Sequence, residues 1–166
     1  MRNEEGEKDY LVDALFKLFE YNQLEILLLE TSGAYGNNNA TKIDFDNHKG
    51  MYGLLAMLKE IASTYNFARI ECFYKLRVYF VQAANKSLYL WSLRYLEGDV
   101  YEMWREEKIE VDDNFNNKDS IVPMIQFLWN LKGRLEDMVE HLNIVQKKTM
   151  RKTRKDTASL EKRLSS

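Results

Sequence analysis

The sequence predicts an all-α fold, a helical bundle of about four main helices with short extra ones and a basic C-terminal tail. Three observations carry that expectation. Pro123 is the only proline in 166 residues, which favours long helices over a turn-rich β fold. Leucines and aromatics crowd residues 67–96 without strong turn signals. Residues 121–145 repeat apolar side chains at alternating spacings of three and four. A single domain is expected over 8–146, after a disordered N-terminus at 1–7 and before a basic extension at 147–166.

In chain order, residues 8–31 read as helix, with Asn22 and Glu25 in a capping-box pattern that suggests two short helices meeting near Tyr21. The Gly- and Asn-rich stretch 31–47 reads as a loop. Asp46 or Asn47 then caps a helix to about Tyr65 that buries Met51, Leu54, Leu55, Leu58, Ile61 and Ala62. Residues 67–96 read as near-continuous helix, about 45 Å long at ~1.5 Å per residue. "SLYLWSLRYL" (87–96) has a strand as its alternative, and Gly98 supplies the stop. Asp99 and Glu102 would cap a short helix bearing Tyr101, Met103 and Trp104, and 110–120 is a loop ending on an N-cap serine.

The last helix gives the strongest pattern. Ile121, Met124, Leu128, Leu131, Leu135, Met138, Leu142 and Val145 form a heptad seam, with Pro123 expected in the first turn. Ile125 and Val139 widen the stripe, which favours packing in a multi-helix core over a two-stranded coiled coil.

Composition excludes several chemistries. Cys72 is the only cysteine, so no internal disulfide forms, and its apolar neighbours suggest a buried, inert thiol. The two histidines lie 93 positions apart, which gives no zinc spacing. Asp112, Asn114 and Asn116 begin like a calcium loop, but Asn117 and Pro123 stand where the motif needs Gly and Glu. No phosphate-binding glycine motif is present, so no cofactor, metal or small-molecule substrate is expected. No run approaches the ~18 apolar residues of a membrane span, and the acidic N-terminus is unlike a signal peptide. The protein is therefore expected in the cytoplasm, and the sequons at Asn39 and Asn85 are read as chance matches.

The net charge of −2 hides an asymmetry: residues 147–166 carry eight Lys/Arg against two acids. Lys147, Lys148, Arg151, Lys152, Arg154 and Lys155 place six cations in nine residues, a pattern that binds phosphate backbones. No aromatic is interleaved among them, so base stacking from the tail is not indicated. Lys132 and Arg134 could extend that surface.

Arg134 and His141, separated by "LEDMVE", lie on one side of the last helix. This resembles the Arg-(four to six residues)-His motif of HEPN-type ribonucleases. The resemblance implies a small helical bundle acting on RNA, commonly as a dimer. Arg134 would then orient phosphate and His141 would serve in acid–base cleavage. Glu136, Asp137 and Glu140 in the spacer bring negative charge toward such a substrate, and Leu135 replaces the family's usual polar residue. A second likeness joins "WSLRYLEGD" (91–99) and "LKGRLEDMV" (131–139). Together these look like the ends of the last two helices in the four-helix accessory proteins of diversity-generating retroelements, which bind a reverse transcriptase and its RNA.

The leading expectation is a non-enzymatic interaction or assembly protein. It docks a protein partner or another copy of itself, and contacts nucleic acid, such as RNA, through its C-terminal cations. The alternatives are the Arg134/His141 ribonuclease and a structural subunit whose interface uses Tyr89, Trp91, Tyr101 and Trp104.

Overall fold

Five strands and two long helices build the molecule: β1 (Ala14–Leu18), β2 (Leu24–Thr31), α1 (Ala40–Thr64), β3 (Val78–Ala84), β4 (Ser87–Tyr95), β5 (Tyr101–Glu110) and α2 (Lys118–Leu164). The structure is a computed structural model that describes residues 12–98, 100–112 and 118–164, with side chains in α2 described for 119–152. The strands form one mixed sheet in the order β1-β2-β3-β4-β5. All neighbours run antiparallel except β2 and β3, which α1 joins as a parallel crossover.

This overturns the all-α bundle. Residues 8–31, expected as helix, instead form the β1–β2 hairpin. Asn22 and Gln23 turn it with φ of 56° and 60°, so the residue read as a helix cap is a left-handed turn residue. The expected long helix at 67–96 is a loop with a single 3-10 turn at Ile70–Cys72, followed by β3 and β4. The strand alternative for 87–96 is the one that holds. Asn85, with φ of 55°, lies in the two-residue turn that joins β3 to β4, and Gly98, with φ of 58°, turns β4 into β5 rather than stopping a helix. Tyr101, Met103 and Trp104, expected on a short helix, lie on β5.

The physical reason is burial on both faces. In β2, Leu24, Ile26, Leu28 and Glu30 are buried on one set of alternate positions, and Leu27 and Leu29 pack against the core from the other. A strand covered on both sides shows no polar alternation, so its sequence loses the period of two. β3 is buried at six of its seven positions.

α1 covers the face that carries Leu28 and Phe80. It approaches so closely at Gly50 that a Cβ there would collide with the Phe80 ring. Its helix begins earlier than expected: Asn39 caps it by accepting from the Lys42 amide at 3.1 Å, while Asp46 is buried inside it. Met57 belongs to its core and Ala62 does not.

α2 crosses the opposite face. Phe127, Leu131, Met138, Leu142 and Val145 are buried, whereas Leu128, expected in the seam, is 54% exposed. A straight helix of 3.6 residues per turn drifts off a strict seven-residue repeat, and the stripe that meets the sheet follows that drift. Pro123 lies at the sixth helical position rather than in the first turn. The helix runs through position 147 without a break. The expected disordered segment 1–7 and most of the calcium-like loop, at 113–117, lie outside the described residues. Among the described residues no helix is long and apolar enough to cross a membrane.

Candidate nucleic-acid interface

The basic segment does not hang free of the domain. α1 ends at Thr64, and the chain then turns through 65–67, where the Ala68 amide donates to the Tyr65 carbonyl at 2.9 Å, before the 3-10 turn. Asn66, Ala68 and Ile70 line one cavity, and Phe67 and Arg69 line another. α2 packs against this turn. Lys148 there donates from Nζ to Cys72 Sγ at 3.4 Å. Cys72 is thus only partly buried and has a cation beside it, rather than being sealed among apolar side chains.

The result is an open cleft of about 540 Å³ lined by Phe67, Arg69, Lys148, Arg151 and Lys152. Four cations and a half-exposed phenyl ring share it, and among the described residues no carboxylate lines it. Among the described residues no acid lies within ion-pair distance of Arg69, Lys148, Arg151 or Lys152. Uncompensated like charges gathered within a Debye length, ~8–10 Å, attract a polyanion. Of the tail cations, Lys148, Arg151 and Lys152 meet in the cleft. Lys147 is exposed outside it, and the side chains of Arg154 and Lys155 lie outside the described residues. Phe67 and Arg69 escaped the sequence reading, because nothing local ties them to a helix some 80 residues later.

Arg134 and His141 do meet, at a smaller cavity of about 250 Å³ on the sheet face of α2, with Lys75, Arg77, Tyr79 and Glu106. A bulge in β5 explains it. Leu90 pairs with Glu107 and Trp91 with Arg105, so Glu106 is an extra residue turned toward α2. Its carboxylate accepts from Ser92 Oγ at 2.7 Å, Arg77 Nη1 at 3.0 Å and Arg134 Nη1 at 2.9 Å. The Arg134 guanidinium is therefore already held by a carboxylate, which a phosphate would have to displace. His141 places Nδ1 2.7 Å from the Asp137 carbonyl. It can make that contact only as the donor, which leaves Nε2 for any other partner. Burial raises the Tyr79 phenol above its ordinary 10.0, outweighing the opposing pull of Arg134 and Arg77, so it stays protonated near neutrality. Lys132, the other possible extension, pairs with Glu136 at 2.6 Å.

The aromatics expected as an interface are dispersed. Tyr89 and Trp91 stack at 6.5 Å on β4, each with a cation over its ring, Lys108 and Arg105 respectively. Tyr101 is in edge contact with Tyr95, and Trp104 is largely exposed on β5.

Neither a protein-family model, nor a curated protein, nor a solved structure matches this chain.

Proposed function

We propose that this protein binds single-stranded nucleic acid, non-enzymatically, in the cleft between the loop after α1 and the C-terminal half of α2, in the cytoplasm. One observation supports this above the others: Arg69, Lys148, Arg151 and Lys152 share an open cleft with Phe67 and with no acid. Single-strand binders combine a cationic groove for the backbone with an aromatic face for the bases, and this cleft has both. The cations engage successive phosphates and the Phe67 ring stacks on one base. The Arg134/His141 ribonuclease reading has less support, because Glu106 occupies the arginine that would hold the phosphate.

The test is fluorescence anisotropy with a labelled single-stranded RNA titrated by the full chain at several salt concentrations. Four neutralised phosphates correspond to a slope of log K against log salt of roughly −3, at ~0.7 per phosphate on a single strand. Lys148→Ala with Arg151→Ala is expected to halve that slope. Absence of binding at low salt, or binding indifferent to both substitutions, would overturn the proposal. RNA cleavage lost in His141→Ala would transfer the function to the other cavity.

A further inference from the structure

The cavity where Arg134 and His141 meet holds a polar group that the fold leaves unanswered. Tyr79 of β3 lines it and is 3% exposed. The neighbouring polar groups spend their bonds elsewhere, since Arg77, Ser92 and Arg134 all donate to Glu106. Among the described residues the Tyr79 hydroxyl has no hydrogen-bond partner. A phenol taken out of water normally finds one, because an unmet O–H is costly. Burial keeps this phenol protonated, so it is a donor.

The cavity offers further unspent capacity around that hydroxyl. Lys75 forms no ion pair among the described residues and brings an ammonium. Arg77 and Arg134 give Nη1 to Glu106 and keep other N–H groups to spare. His141 Nδ1 donates to the Asp137 carbonyl, so in the neutral ring Nε2 is an acceptor. The exposed Asp137 carboxylate at the rim is another. Donors alone would suit any oxyanion. Donors beside acceptors suit one that still carries a proton. A phosphate monoester, with its second ionisation near pH ~6, both accepts and donates. Carboxylates and sulfate esters are ionised there and only accept. Pockets that enclose a whole small molecule run to roughly 300–1,000 Å³. At about 250 Å³ this one takes the phosphoryl group and leaves the rest of its ligand outside.

We propose that this cavity binds a phosphate monoester, with Tyr79 and Lys75 donating to its oxygens and His141 Nε2 accepting from its P–OH. Glu106 stays on both arginines throughout. The site does not depend on a strand in the cleft, although residues 67–79 and α2 build both. His141 stands two helical turns, ~10.5 Å, from Lys148. The monoester is either a free molecule or the terminal phosphate of that strand.

Calorimetric titration of the full chain with methyl phosphate at about pH 6, where both protonation states are present, tests the site. Methyl sulfate matches the monoanion in shape and charge but has no proton to give, and should bind at least about tenfold more weakly. Tyr79→Phe deletes only the partnerless hydroxyl, so it should weaken methyl phosphate about tenfold with no loss of thermal stability. Lys75→Ala, on an exposed side chain, should also weaken it about tenfold. Absence of binding at millimolar concentration, equal binding of methyl sulfate, or binding indifferent to both substitutions overturns the proposal. A titration lost in Lys148→Ala with Arg151→Ala but kept in Tyr79→Phe overturns it too, by placing the phosphate in the cleft. Anisotropy with 5′-phosphorylated and 5′-hydroxyl RNA distinguishes the sources. A preference for the phosphorylated end that Tyr79→Phe abolishes assigns the strand's terminus, and equal affinity assigns a free monoester. If no RNA binds, the cleft reading fails while the methyl phosphate titration still decides this one.

Discussion

Two cationic regions of α2, around Arg134 and Arg151 and about five helical turns apart at 3.6 residues per turn, meet opposite fates. At the Arg134 cavity, Arg77 and Arg134 converge on Glu106, with Ser92 completing the carboxylate's hydrogen bonds. At the Arg151 cleft, four cations gather with no acid among the described lining residues. The difference arises in the sheet: the β5 bulge delivers a carboxylate to the first region, and no strand reaches the second. Charge that the fold neutralises holds the fold together, and charge that it leaves open is available to a ligand. The family resemblance at Arg134 and His141 marks the first kind of region.

The largest effect that can break this comparison is removal of Glu106. Its carboxylate is 11% exposed, and the two guanidiniums are about one-third exposed. Losing one partner of a fully buried ion pair costs about 3–5 kcal/mol, and solvent screening of the arginines lowers that here to about 2 kcal/mol. Glu106→Ala is therefore expected to lower the urea midpoint strongly, whereas Arg151→Ala should stay within ~0.5 kcal/mol of wild type. Equal costs at the two sites would show that the cleft cations have structural partners.

What could be seen in the sequence follows the same line between covered and uncovered surface. α2 was legible because one side of it faces water, so its apolar spacing shows. α1 was legible at its C-terminal end for the same reason. β2 and β3 were not, because α1 and α2 cover both faces of the sheet and leave "LEILLLE" and "VYFVQAA" apolar at nearly every position. The leucines of β2 favour helix locally, and cross-strand packing overrode that preference. The cations of the cleft were legible as a charge run. Phe67 and Arg69 were not, since only tertiary packing brings the turn at 70–72 beside Lys148.

A smaller effect sharpens the comparison within the cleft itself. Phe67→Ala removes no charge, so the salt slope should not change while the affinity for single-stranded RNA falls by about 1–2 kcal/mol, the worth of one stacked base. Arg69→Ala should do the reverse, lowering the slope by ~0.7. Anisotropy titrations of the two variants at matched salt distinguish them. A loss of slope with Phe67→Ala would mean the ring only props the cations in place.

The smallest effect concerns the acidic counterpart on the other face of the sheet. There Glu30, buried in β2, meets Lys49 of α1 at 2.6 Å, with Asp13 and Asp46 nearby. Asp46 also pairs with Lys42 at 3.3 Å, and Asp13 accepts from the Thr31 amide at 2.6 Å. Burial raises the Glu30 acid above its ordinary 4.5; Lys49 opposes the shift, and the two aspartates add to it. The folded chain thus holds this proton more tightly than the unfolded chain does. Its contribution to stability is full below the ordinary value and is lost as pH rises through the raised one. Urea midpoints measured from mildly acid to neutral pH should fall over that window in the wild type. In Glu30→Gln the fall should flatten, since the amide does not titrate. An unchanged profile would show that Glu30 does not carry the pH dependence, and Lys49 would then belong with Arg77 and Arg134 as a cation fully matched by its carboxylate.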